Sequence, residues 1–594
     1  MHRFTINKAA VAKFALCFFS YLLLVCLLRL LSTETLTFKQ DWGYIVSFAA
    51  LFSSVSLLIS FSRSGFLFCF ILIFLYISAA CVKIFSSMIL TEREIVHTIC
   101  FATFLASFLL SVQYLVFLIK NNSVRRFFKT FTAALGVFSL VPPLTVISYF
   151  FAQKALFSAD ILLTLFQTNL SETLAYLGEQ NLFVWGFLSL LILTIFILFV
   201  RFFENLLFPK TLQKLSFLLA LCLLVYTGAN ILPKLNLHLT ANICMNTVET
   251  LKNFKQYEQN KALRLQKIEN LKSLNLSTKE SGIYILVIGE SETRDHMGAY
   301  GYERNTTPWL SSLKENDQVV IFENAYSNHT HTIPTLTYAL TSANQYNNIP
   351  LLEAYSVLEV AKAAGFETYW ISNQPKDSVF LTPLSVMAST ADNQVWLNTN
   401  IGDKLSTEYY DEKIADEVLN QKFTQKSFVV LHLMGSHAAY RDRYPADFNR
   451  FKNSPKKNVD AYDNSVLYTD FVLRRIYEVA HLNPSFKALV YLSDHGDDVD
   501  NRLGHESSRF SYAMARIPFF MIVSKSFMNT QAETFSALKQ TKNKLWTNDL
   551  LYNFMLKIMG INDLEKAYDI SSPSYEIKKE NALVLHGTKK LSDE

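Results

Sequence analysis

The stretch FKALVYLSDHGDD, residues 486–498, decides the fold. Its first half is dominated by apolar residues, and its second half crowds Asp494, His495, Asp497 and Asp498 into five positions. The run from Ala488 onward reads as a buried strand, and the polar cluster behind it as a site at the strand's carboxyl end. Taken alone, the cluster would pass equally well for a solvated turn with an incidental histidine.

Four more runs change that balance: IYILVIGE (283–290), ETYWISNQ (367–374), SFVVLHLMGSH (427–437) and IPFFMIV (517–523). They alternate with helix-like segments from residue 281 onward, which predicts a C-terminal α/β domain with a doubly wound, mostly parallel sheet. Four of the five runs end in coordinating side chains: Glu290, Asn373 with Gln374, His437, and Asp494 with His495. Sheets of this kind bind ligands beyond the carboxyl ends of their strands, so these residues are expected to converge on one crevice. Glu290, Asp494 and His495 offer oxygen and nitrogen ligands suited to zinc, or less selectively to manganese. His329, His331, His437 and His505 leave room for a second metal or a pair that orients a phosphate. The segment NAYSNHTHTIPTLTYAL, 324–340, supplies hydroxyls at Thr330, Thr332, Thr335 and Thr337. Threonine is a poor nucleophile until a metal lowers its pKa.

The first 240 residues are of another kind. They carry 17 Lys and Arg against 8 Asp and Glu, whereas the rest of the 594-residue chain carries 38 against 42. The net charge of +5 therefore reflects basic loops beside membrane segments and does not point to nucleic acid. Seven stretches are apolar enough to cross a hydrocarbon layer of about 30 Å: 10–31, 44–62, 66–90, 96–119, 132–152, 184–202 and 213–232. Five or six is the alternative count. With the N-terminus inside, the inner loops hold eleven Lys and Arg and the outer loops only Lys39, Arg93 and Lys154. The chain after Leu232 is thus expected on the outer face. The first apolar run is too long for a cleaved signal peptide. Arg29 and Lys83 lie near the expected outer ends of spans, within reach of the interface. Residues 246–274 have helical apolar spacing and are read as a surface or bridging helix; residues 166–177 are read as a second. The resulting division is a membrane domain, 1–240, a linker, 241–280, and an outer domain, 281–594. All seven cysteines precede residue 245, so the outer domain has neither disulfide nor thiol chemistry.

Taken in order, VIGESETRDHMGAYGYERNTTPWL, SNHTHTIPTL, HLMGSHAAYRDRYP, YDNSVLYTD and LSDHGDD followed by GHE resemble the motifs of the bacterial phosphoethanolamine transferases that modify lipopolysaccharide. These belong to the alkaline phosphatase and sulfatase superfamily. The resemblance implies a catalytic zinc held by Glu290, Thr330, Asp494 and His495, with Thr330 as nucleophile and a second zinc as an option. It implies that Thr330 takes phosphoethanolamine from phosphatidylethanolamine and passes it to lipid A or a core sugar, at a periplasmic domain anchored in the inner membrane. His437 and His505 resemble the pair that engages the donor phosphate, and Asn373 and Gln374 are expected to line the substrate crevice. Known members carry Cys-Gly before the nucleophile where this chain has Asn328-His329, and a glutamate where it has Asp497. A membrane-anchored glycerol-phosphate transferase of the same superfamily is the rival enzyme. A transporter or receptor is the rival from another class, and it would need ionisable residues deep in the spans. The orientation is testable: a phosphatase reporter fused after Leu232 is expected to be active and one fused after Lys129 inactive, the reverse pattern placing the domain inside.

Overall fold

The computed structural model describes the chain apart from residues 1–7, 34–41, 60–62, 87, 160, most of 164–212, most of 261–279, 375–382, 399–409, 457 and 562–565. Contacts divide it into two compact units, with the boundary between Glu249 and Thr250 inside the helix Leu239–Gln259.

The N-terminal unit is helical. Five described helices are long and apolar enough to cross a membrane: Ala9–Leu31, Gly65–Phe85, Glu92–Phe117, Asn122–Gln153 and Ser216–Leu237. The expected count of seven is not reached among the described residues. Trp42–Leu58 forms the expected helix but has only 17 residues, and nearly all of 184–202 lies outside the described residues, as does the surface helix expected at 166–177. The span expected at 132–152 belongs to a longer helical stretch that breaks near Ser139, before Pro142 and Pro143 open its second half. Proline there fits because the first helical positions need no N–H partner. Arg29 and Lys83 do not simply reach for the interface. Arg29 pairs with Glu92 at 2.5 Å and Lys83 with Glu94 at 2.6 Å, both acids lying in the first turn of Glu92–Phe117. Buried charge in such a setting is retained only when partnered.

The C-terminal unit holds a seven-stranded sheet. Its strands are β1 (Gly282–Gly289), β2 (Val319–Ile321), β3 (Glu367–Ser372), β4 (Asn393–Trp396), β5 (Lys426–His432), β6 (Phe486–Ser493) and β7 (Phe519–Val523). Their order is β2-β7-β6-β1-β5-β3-β4. β7 runs antiparallel to both neighbours, and the other pairs are parallel. Each face carries its own core. Tyr284, Leu286 and Ile288 of β1 pack with Phe428 and Val430 of β5 on one side, whereas Ile283, Ile285 and Val287 pack with Val429 and Leu431 on the other. Strands buried on both faces read as continuous apolar runs, which is why all five expected runs are strands. The one run without a coordinating end, IPFFMIV, is the antiparallel β7. Its carboxyl end points away from the site.

The helix Val459–His481 locks the loop that follows β1. Tyr462 accepts from Thr293 N and donates to Ser291 O, both at 2.8 Å. Asp463 binds His296, Tyr302 and Arg304 at 2.7, 3.0 and 2.7 Å. Asp470 receives the backbone N–H groups of Trp309 and Leu310. The YDNSVLYTD motif thus holds the GESETRDHM loop in place and contributes no ligand itself. Asp463 is fully buried, so Asp463→Ala leaves the buried His296 without its closest carboxylate and Arg304, half-buried, with Asp460 alone. A loss of about 3–5 kcal/mol is expected, measurable by urea unfolding, and a loss below about 1 kcal/mol would make the cluster incidental.

Candidate metal centre and nucleophile

Register sets the site. Gly289 of β1 lies opposite Ser493 of β6 and Ile288 lies opposite His432 of β5, so Glu290 and Asp494 leave the sheet side by side. Both are buried, as is His495. Asp494 Oδ1 accepts from Ser291 N at 3.0 Å and from His495 N at 2.7 Å, while its Oδ2 is buried with no hydrogen-bond partner. His495 Nδ1 donates to Gly496 O at 3.1 Å. Its Nε2 therefore faces Glu290 Oε1 and Asp494 Oδ2, each at 3.4 Å. An orphaned carboxylate oxygen and an imidazole lone pair aimed at two carboxylates are what a divalent cation needs, and ligand atoms of all three residues lie within 4.8 Å of one another. With only a proton to share, burial and the Glu290 charge push Asp494 up to about 7. His495 rises to about 10, because Asp494 and Glu290 outweigh the effect of its burial. Glu290 is held well below the usual carboxylate range by His495 despite its own burial. A cation would take over the role of that proton.

The other expected residues divide. Gln374 Nε2 donates to Leu433 O at 3.0 Å and reaches Glu290 Oε2 at 3.3 Å, so it orients the Glu290 carboxylate. Asn373 is fully buried, donating to Asp411 Oδ1 at 2.8 Å and accepting from Asn398 at 2.9 Å; it braces loops and does not line a crevice. His505 Nδ1 lies 2.7 Å from Asp497 Oδ1, and Asp497 Oδ2 accepts from Tyr440 at 2.6 Å. Asp497 is thus part of the site, and His495, Asp497 and His505 form a second group able to hold a cation. His437 is half-buried.

The hydroxyl that faces the carboxylates is that of Thr332, two residues beyond the Thr330 expected as nucleophile. Thr332 Oγ1 lies 3.2 Å from both Glu290 oxygens and opens the helix Thr332–Ala339. Thr330 is fully buried, and its hydroxyl has no hydrogen-bond partner among the described residues. Successive residues of this short turn point in different directions, and only the fold decides which hydroxyl faces the carboxylates. His331 stacks edge-on to the His505 ring at 5.2 Å, and His329 contacts His331 and His586 at 5.7 and 4.8 Å. Burial holds both His329 and His331 well below the usual histidine range, hence neutral.

Three supporting groups escape a reading of the sequence. Asp411 accepts from Met434 N and Gly435 N at 2.9 and 2.8 Å, pressing that loop onto Glu290. Gly435 has φ +50°, and a Cβ there would fall 2.8 Å from Glu290 N and O. His432, the last residue of β5, has a buried Nε2 with no hydrogen-bond partner, and burial pulls it down to about 4. Of these, His432 and Gly435 lie within a motif that signals the site, and Asp411 does not.

Residues 283–561 match the Sulfatase family model. Phosphoethanolamine transferase EptC of Escherichia coli K12 is 29% identical over 465 residues, covering 69% of this chain and 76% of its own. Phosphoethanolamine transferase CptA of Salmonella typhimurium is 26% identical over 340 residues, covering 52% and 58%. Residues 283–561 thus carry a Sulfatase-family domain, and the relatives that the chain resembles are phosphoethanolamine transferases. The membrane half follows the same plan: the integral membrane lipooligosaccharide phosphoethanolamine transferase A (EptA) of Neisseria meningitidis superposes with a TM-score of 0.53, 19% identity, and coverage of 92% of this chain and 98% of its own. That likeness concerns the fold. For the cluster of Glu290, Asp494 and His495, elemental analysis is expected to find bound divalent metal that Asp494→Ala loses. Gln374→Ala, which disturbs only the orientation of Glu290, is expected to weaken binding about 10- to 100-fold. Equal metal in the wild type and Asp494→Ala would remove these residues from a metal centre.

Proposed function

We propose that this chain transfers phosphoethanolamine from phosphatidylethanolamine to lipopolysaccharide, at lipid A or a core sugar, through a covalent ester on Thr332. One observation carries the reading: the Thr332 hydroxyl meets Glu290 at the edge of the Glu290, Asp494 and His495 cluster. Thr332, and not Thr330, is the nucleophile in this proposal.

Zinc is the cation that suits two carboxylates, one imidazole and a hydroxyl, and it supplies the charge that turns such a hydroxyl into a nucleophile. The chain's own residues do the rest. In the resting site the Thr332 hydroxyl donates to Glu290, which fixes its oxygen at the edge of the cluster, and Thr332 opens a helix whose positive end favours negative charge there. In the first half-reaction Thr332 Oγ1 attacks the donor phosphorus, the bond to diacylglycerol breaks, and diacylglycerol leaves with a proton. In the second, an oxygen of the acceptor attacks the same phosphorus, the bond from phosphorus to Thr332 Oγ1 breaks, and the proton the acceptor gives up returns to the Thr332 oxygen. His505, fixed by Asp497, and His437 are assigned to the phosphoryl oxygens. The domain limits 1–240, 241–280 and 281–594, the inner membrane and a periplasmic catalytic domain belong to the same proposal. They are supported by the loop charge bias and by the five apolar helices.

Peptide mass spectrometry after incubation with phosphatidylethanolamine is expected to find the phosphoethanolamine mass on Thr332. Thr332→Ala abolishes it, because the covalent route is lost, whereas Thr330→Ala retains it. The adduct on Thr330, or on no threonine, would overturn the assignment. Lipopolysaccharide from strains with and without the chain is expected to differ by one phosphoethanolamine.

A further inference from the structure

The nucleophile loop and the metal strand meet through one side chain. The short strand Leu545–Thr547 pairs in parallel with Asn324–Tyr326, Tyr326 opposite Thr547, so both strands deliver their next residues to the same end. Those residues are Asn548 on one and Ser327 with Asn328 on the other. Asn548 is fully buried. Its Oδ1 accepts from Asn328 N and from Asn328 Nδ2, both at 2.8 Å, and its Nδ2 donates to the backbone oxygen of Asp494 at 2.7 Å. One planar amide thus spans from the loop that carries Thr332 to the residue that presents Asp494 Oδ2. Asn328 spreads the grip further, donating to Thr335 O at 3.1 Å and meeting His586 Nε2 at 2.9 Å.

We propose that Asn548 is a positioning residue for the transfer, setting the separation between Thr332 and the cluster of Glu290, Asp494 and His495. The inference rests on the assignment of Thr332 as nucleophile. An amide is the side chain that serves here: it accepts twice on one side and donates on the other with both ends fixed in one plane. A carboxylate would keep the two hydrogen bonds to Asn328 but turn an oxygen toward Asp494 O. Asp494 Oδ1 would still be held by Ser291 N and His495 N, so cation binding does not depend on Asn548.

The test uses the full-length protein in detergent with phosphatidylethanolamine as donor. Rates are referred to folded, metal-loaded molecules, so a variant that folds poorly still reports. For Asn548→Asp, kcat and the single-turnover rate of Thr332 modification are expected to fall on the order of 100-fold, the cost of a misplacement near 1 Å. KM for the donor and the metal bound per chain stay at wild-type values. Asn328→Ala keeps the backbone hydrogen bond to Asn548 and is expected to lose only a few-fold in rate. A wild-type rate in Asn548→Asp, or a fall in rate no larger than the fall in bound metal, would overturn the inference. An adduct that forms on Thr332 in the wild type separates that failure from a failure of the nucleophile assignment, in which Thr332 carries no adduct at all.

Discussion

Two carboxylates and one imidazole meet in a place that excludes water, and the rest of the catalytic unit is arranged to keep them there. Like charges about 4 Å apart repel by about 4 kcal/mol even at an effective dielectric near 20. Glu290 and Asp494 therefore tolerate each other only with positive charge between them. Two neighbouring parallel strands create this proximity, since their register sends residue 290 and residue 494 out of the sheet together. The backbone donors on Asp494 Oδ1 and the carbonyl fixed on His495 Nδ1 leave the remaining lone pairs with a single direction in which to be used.

The apolar runs carried much of the outer architecture openly. A strand covered on both faces has no reason to alternate, and IYILVIGE, SFVVLHLMG and FKALVYLS do not. The strands that escaped notice are short or polar: three residues in β2, and the edge strand NQVW, half-exposed, in β4. The polar residues at strand ends were legible as a group, because parallel strands deliver their ends to one side. Their individual roles were not. Asn373 and Gln374 are neighbours with the same chemistry, yet one turns to Asp411 and the other to Glu290. Thr330 and Thr332 pose the same problem in a turn, where only the packing of the following helix selects a hydroxyl. Asp411 and Asn548 reach the site from distant parts of the chain, outside any motif that marks them.

In the membrane unit the limit was one of length and partnership. A run of apolar residues announces a helix but not where it breaks, so a helical stretch interrupted near Ser139 and a helix of 17 residues both looked like ordinary spans. The positions of Arg29 and Lys83 were readable, but their partners were not. Glu92 and Glu94 sit at the start of a helix that the hydropathy pattern places a few residues later, so they looked like parts of a loop.

The catalytic unit contains no cysteine at all; beside its two apolar cores, the links between distant segments are amides and carboxylates, Asp463 on its three partners and Asn548 between Asn328 and Asp494. Such contacts are non-covalent and require no oxidant, disulfide isomerase or electron acceptor. Maturation of the unit is thereby uncoupled from the thiol machinery of its compartment. A cell that loses its disulfide-forming enzymes would still assemble this domain, and thiol reductants added from outside would find nothing in it to cut.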